Sequence, residues 1–177
     1  MKFKIRIFPS GHASSSKERS KEMSINSNVD FIHGNLDDGF SINFGKSGNI
    51  NLFNASGFDL SDGDFYSWTE KQTSWIDIMA RWPAKDLNIK LSATPYLATD
   101  TIIQQQVFIY VNGLFCGFHG FFESDDCSFL IPRNAISGRS TRITITIPTA
   151  ISPKRLGLSE DLRQLGIAIT TLSLLSV

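Results

Sequence analysis

The sequence predicts an all-β fold: a two-sheet antiparallel β-sandwich of jelly-roll character, with few or no helices. Three observations lead there. Most of the chain is built of short runs that change character every second residue, the period of a half-buried strand. These runs are separated by Gly, Pro, Asn and Asp, and no long segment repeats at the helical period. Roughly eight to ten such strands must close into a barrel or stack as two sheets, and the mixed turn lengths favour stacking.

The elements follow in order. Met1 to Phe8 alternates Lys2, Lys4 and Arg6 with Phe3, Ile5 and Ile7, a strand pattern rather than the apolar run of a secretion signal. Pro9 to Asn28 is rich in Ser, Lys and Glu without an apolar period and reads as a flexible arm. Residues 1–28 are therefore expected to be a basic strand and Ser-rich arm, and residues 29–177 the sandwich. Asn35 to Asp64, dense in Gly, Asn, Ser and Asp around Ile42, Phe44, Ile50, Leu52 and Phe53, predicts short strands and loops at one end.

Ile76, Ile78 and Ala80 share one strand face, with Trp75, Asp77 and Met79 on the other; Leu87, Ile89 and Leu91 repeat the pattern. Val107, Ile109 and Val111 precede Asn112-Gly113, and Leu114, Cys116 and Phe118 follow. That is a two-residue hairpin, because Asn and Gly tolerate the positive φ its turn requires. Cys127 to Ile131, Thr141 to Ile147 and Gly166 to Leu174 supply further strands, Pro148 ending the second.

Composition limits the function classes. Of 177 residues, 41% are hydrophobic and 19% charged, with 14 Phe and 13 Gly, which suits one folded, turn-rich domain. Seventeen basic residues offset seventeen acidic ones, so no overall field draws the protein to nucleic acid or an anionic membrane. No run reaches the ~20 apolar residues of a membrane-spanning helix. Two cysteines, Cys116 and Cys127, are too few for a disulfide-dense scaffold, and a cytoplasmic location is expected.

Three stretches stand in a telling order: Gly57-Phe58 through Tyr66-Ser67-Trp68-Thr69, then Val107 through Val111-Asn112-Gly113, then Ser152-Pro153-Lys154 through Asp161-Leu162-Arg163-Gln164-Leu165-Gly166. Together they resemble a β-sandwich accessory domain appended to bacterial glycosyltransferases and membrane phosphoglycerol transferases of surface-polysaccharide synthesis. The likeness spans about Ile42 to Val177. In that family the first stretch runs Gly-Trp-Ser, then Pro-Glu, then Trp followed by Ser or Thr. Here Phe58, Asp59, Ser61 and Asp62 stand in those places; Asp62 preserves an acid and Trp68-Thr69 keep the pattern. The resemblance implies a non-catalytic module without a cofactor, acting beside surface-glycan or glycolipid assembly by binding sugar or docking an enzyme, with a glycosyltransferase as partner.

Sugar binding needs flat aromatic faces and flanking polar groups, because each desolvated hydroxyl must regain a hydrogen bond. Tyr66, Trp68, Glu70 and Trp75 offer such a set, and Asp62 and Asp64 lie in an adjoining loop. Trp68 and Trp75 are nonetheless expected first as core aromatics, because buried aromatics dominate sandwich cores. Asp161 and Arg163 suit a bidentate pair that pins the loop before the last strand; alternatively, Arg163 or Arg81 clamps an anionic group. Asn112 and Gly113 are structural. Cys116, His119 and Cys127 match no zinc spacing, so no metal is expected, and the two thiols are either free or cross-strand partners in a disulfide.

Catalysis finds little support. His12, His33 and His119 fall in no catalytic motif, there is no Gly-x-Ser-x-Gly elbow or phosphate loop, and Asp37, Asp38, Asp125 and Asp126 read as solvated turn acids. Three functions remain open: a carbohydrate-recognition module, a protein-docking or homo-oligomerising sandwich that uses a face or strand edge, and a small glycan-active enzyme whose sign would be two carboxylates about 5–10 Å apart in a cleft.

Overall fold

The computed structural model describes residues 40–80, 82–98, 100–136 and 138–177. The strand expected over Met1 to Phe8, the arm from Pro9 to Asn28, and Arg81 lie outside the described residues.

Among the described residues eleven strands occur in chain order: β1 (Phe40–Asn43), β2 (Asn54–Ser56), β3 (Phe58–Asp59), β4 (Ser67–Thr69), β5 (Thr73–Met79), β6 (Leu87–Pro95), β7 (Gln105–Val111), β8 (Leu114–Phe121), β9 (Asp125–Ile131), β10 (Ser140–Thr146) and β11 (Ile167–Ser176). Short 3-10 turns at Ile50–Leu52 and Arg133–Ala135 are the helical elements among the described residues. The strands form two antiparallel sheets. One is six-stranded, ordered β3-β4-β11-β6-β9 with β1 also on β11; the other is five-stranded, ordered β2-β5-β10-β7-β8. Because β6 runs along one whole side of β11, β4 and β1 share the other side end to end, β4 at Ala168 and Ile169 and β1 at Thr171 to Leu174.

The sandwich follows from period-two alternation. Ile76 and Ile78 on β5, Leu87, Ile89 and Leu91 on β6, Val107, Ile109 and Val111 on β7, and Ile143 and Ile145 on β10 are all essentially inaccessible to solvent. β-Branched side chains dominate these rows, as they do wherever two pleated faces interdigitate. Phe44, Phe58 and Phe121 fill the wider gaps.

Three backbone devices shape the surface. Gly57, at φ +85°, takes the chain from β2 in one sheet to β3 in the other, and a Cβ there would lie 2.6 Å from the Ser74 hydroxyl. A bulge between Ile169 and Thr171 resets β11, so that Ile167 and Ile169 before it and Leu172 and Leu174 after it all point inward. Thr170, the extra residue, is exposed. A second bulge, at Cys116 opposite Ile109 and Tyr110, breaks the expected alternation of Leu114, Cys116 and Phe118: Phe115 and Phe118 are 53% and 51% exposed. The turn between β7 and β8 is as expected, with Asn112 at φ 48° and Gly113 at φ 84°.

Candidate functional site

The candidate site lies on the outer face of the six-stranded sheet. On β4, Ser67 and Thr69 point into the protein, where the Ser67 hydroxyl accepts from the Gly45 N–H at 3.0 Å and Thr69 from the Ile167 N–H at 3.1 Å. Trp68 therefore points outward and is half-buried. Tyr66, two residues earlier, meets it edge-on with ring centroids 6.4 Å apart. Tyr96, just beyond β6, does the same from the other side at 6.1 Å. Tyr66 is held by its loop: a Cβ on Gly63 would lie 2.7 Å from the Tyr66 ring, so only glycine lets the turn close on it.

Strand register extends this strip sideways. Trp68 pairs with Ala168 on β11, Ala168 with Thr94 on β6, and the Thr94 hydroxyl meets that of Ser124 at 2.8 Å. Here a shallow cleft of ≈ 460 Å³ opens, lined by Ser92, Thr94, Ser124, Asp125, Asp126 and the bulged Thr170. Lys90 reaches Asp126 at 2.7 Å, and this contact, with that of Ser92, holds the Asp126 carboxyl below the usual carboxylate range. Hydroxyl groups and acidic side chains thus line the cleft together.

On the opposite flank stands a four-residue ionic staple. Asp59 on β3 is the cross-strand partner of Trp68 on β4, and its carboxylate accepts from the Ser61 hydroxyl at 2.7 Å, from the Ser61 N–H at 2.8 Å and from Arg163. Arg163 donates Nη2 to Asp161 at 2.6 Å, Nε to both oxygens of Asp161 at 3.1 and 3.0 Å, and Nη1 to Asp62 at 3.2 Å. The Ser61 bonds first, then Arg163, hold the Asp59 carboxyl below its ordinary value; hydrogen bonds from Arg163 do the same for Asp161. The guanidinium is correspondingly pushed up, chiefly by Asp161. Gln164 N–H donating to the Glu70 carbonyl at 3.0 Å completes the splice between the closing loop and β4. Among the described residues no group of three His, Cys, Asp or Glu side chains is placed to hold a metal ion; between these three carboxylates the cation is Arg163.

The sequence-derived candidates are now placed. Tyr66 and Trp68 stand together; Glu70 comes directly after β4 with its backbone committed to Gly57 and Gln164. Asp62 is engaged by Arg163, and Asp64 is exposed in the loop. Trp75 does not join them. It faces outward from the five-stranded sheet, with the Arg142 guanidinium 4.0 Å over its ring and Arg142 in turn forked onto Asp77 at 2.7 and 2.8 Å. Neither tryptophan is in the inter-sheet core, because each alternates with buried residues on its own strand, Ser67 and Thr69 or Ser74 and Ile76. Cys116 and Cys127 are free thiols. Sequence reasoning missed Tyr96 and the hydroxyls of the cleft; continuing the alternation Ser92, Thr94, Tyr96 past Pro95 was the available signal.

No protein-family model matches the chain, and no curated protein matches it. Among solved structures, the CBM36-1 domain of a multidomain xylanase from the hindgut metagenome of Trinervitermes trinervoides is similar at TM-score 0.48 and 9% identity, covering 78% of this chain and 98% of that one. The C-terminal CBM6 of LamC, a marine laminarinase from Zobellia galactanivorans, is similar at TM-score 0.45 and 10% identity, covering 78% and 99%. A family 35 carbohydrate-binding module from Clostridium thermocellum is similar at TM-score 0.46 and 9% identity, covering 78% and 98%. Likeness at this level gives none of this chain's residues a role.

Proposed function

We propose that this domain is a non-catalytic carbohydrate-recognition module that binds glycan across the outer face of its six-stranded sheet. The observation that carries this reading is the continuity of the aromatic strip Tyr66, Trp68 and Tyr96 with the hydroxyl-lined cleft beyond Ala168. Aromatic edges and faces receive the C–H surfaces of a pyranose, while the Ser, Thr and Asp groups of the cleft exchange hydrogen bonds with its hydroxyls. The carboxylates whose protonation is shifted, Asp59, Asp77, Asp126 and Asp161, are all lowered. They are acceptors held ionised, the state in which a carboxylate takes hydrogen bonds from donor groups.

The module serves an enzyme of bacterial surface-polysaccharide or glycolipid assembly, with a glycosyltransferase as its cytoplasmic partner. What supports this finer reading is that Asp161 and Arg163, central to the family-like closing stretch, build the staple beside the aromatic strip. The test is calorimetric titration against a panel of neutral oligosaccharides and the repeat units of surface polysaccharides. Trp68→Ala is expected to weaken the best ligand at least tenfold, about 1.4 kcal/mol, with an unchanged circular dichroism spectrum. No ligand in the panel, or equal binding by the variant, would remove the basis for the reading.

A further inference from the structure

β8 is the last strand of the five-stranded sheet, and among the described residues no strand pairs with its outer edge. Natural edge strands guard themselves with charge, proline or brevity. β8 has eight residues, LFCGFHGF, with no Asp, Glu, Lys, Arg or Pro. Its one irregularity is the bulge at Cys116.

That bulge decides what can pair there. The two-residue turn sets Val111 opposite Leu114 as the first pair, which in such a hairpin exchanges hydrogen bonds, and alternate residues then aim N–H and C=O away from the partner. The same phase holds on β7, where the Asn112 N–H donates to the Arg142 carbonyl at 2.9 Å on the opposite side. On β8 the outward set begins at Phe115 and, after the extra residue, resumes at Phe118 and Gly120. A regular strand offers its outward groups every second residue, whereas Phe115 and Phe118 are three apart. An ordinary partner strand therefore matches one of them, while a second β8, carrying the same bulge, matches both.

We infer that two copies of this chain associate by antiparallel β8 to β8 pairing about a two-fold axis, with Phe115 of each copy opposite Phe118 of the other. The side chains agree with the backbone. Phe115 and Phe118 are about half exposed on the sheet's outer face, where Phe118 packs at 5.0 Å on Phe108 and Phe115 at 5.6 Å on Tyr110. Pairing closes these rings over the seam. Half of two aromatic side chains is on the order of 200 Å² per copy, well short of the ~800 Å² per partner of a stable complex. The association is thus a concentration-dependent equilibrium with a dissociation constant in the micromolar range or weaker.

The test is sedimentation velocity of the full chain from about 1 to about 500 µM, with amide exchange followed at both ends of the range. The wild-type chain is expected to move from the monomer mass towards twice that mass, with exchange at Phe118 and Gly120 slowing as it does. Phe118→Lys is expected to stay monomeric with an unchanged circular dichroism spectrum. Should that variant misfold, the wild-type exchange data decide alone. A wild-type monomer at every concentration overturns the inference, as does a dimer whose Phe118 and Gly120 amides exchange as fast as in the monomer. A monomer that binds polysaccharide through Phe115 and Phe118 overturns it in favour of a sugar platform.

Discussion

Replacing Arg163 with alanine tests the staple that fixes the candidate site. The substitution strips the shared cation from Asp59, Asp62 and Asp161 and leaves three carboxylates facing one another. Charge-assisted hydrogen bonds contribute ~1.5–3 kcal/mol each when shielded, but exposed ion pairs only ~0.2–1 kcal/mol. The Asp62 bond belongs to the second class, with that side chain 39% exposed and Arg163 itself 32%. Asp59 and Asp161, at 17% and 24%, lie between the classes. A loss of about 2–3 kcal/mol results, which for a domain of this size lowers Tm by roughly 4–12 °C. The sign of the pH dependence follows from the lowered carboxyls of Asp59 and Asp161. Their contribution is fully present above the unfolded value of ~3.9 and is lost as pH falls through the lower folded values. The gap between wild type and variant is therefore widest near neutrality and narrows as pH falls through the lowered folded values. Arg163→Lys keeps the charge but not the fork and recovers less than half of the loss. Thermal melts by circular dichroism at pH 7 and at about pH 2.5 measure this. A drop under about 2 °C at neutral pH, or one of equal size in acid, would refute the reasoning.

Four further outcomes are expected. Ile145→Ala empties a fully buried position between the sheets and should cost ~2–5 kcal/mol in urea unfolding; a smaller loss would mean that the core collapses around it. Gly57→Ala forces a side chain to φ +85° against the Ser74 hydroxyl, so stability should fall by about 1–3 kcal/mol; an unchanged melt would show that the crossing from β2 to β3 relaxes easily. Burial pushes the Cys127 thiol up to about 12, with Asp125 and Asp126 adding to it. A maleimide at pH 8 should therefore label the more accessible Cys116 first, and peptide mapping that finds Cys127 modified at the same rate would contradict its burial. Arg142→Gln uncovers the Trp75 ring, and a red shift in tryptophan emission is the expected sign of water reaching it.

Legibility in the sequence depended on how local each feature was. The Asn112-Gly113 turn was readable because only two residues' backbone angles decide it. The rows on β5, β6, β7 and β10 were readable because alternation exposes them one strand at a time. Trp68 and Trp75 were ambiguous while treated as large aromatics, although alternation with Ile76 and Ile78 already placed Trp75 opposite the core. The bulge at Cys116 slips one strand against its neighbour, which composition does not encode, so the exposure of Phe118 was hidden. The staple was half visible: Asp161 and Arg163 are two apart, but Asp59 joins Arg163 across 104 positions. The cleft was invisible, since Thr94, Ser124 and Thr170 meet only through the register of β6, β9 and β11.

The place of β11 in its sheet bears on how the protein is made. This strand lies between β6 on one side and β4 and β1 on the other, yet it follows all of them in the chain. Every other strand is therefore synthesised before the one that joins them, and until then the edge of β6 is unpaired and β4 and β1 have no strand linking them to β6 and β9. Acquisition of the native state waits on a late, long-range step, slow by the rule that distant contacts delay folding. Any nascent or prematurely terminated chain lacking residues 167–176 is left as an open, sticky half-sandwich, a natural client for chaperones.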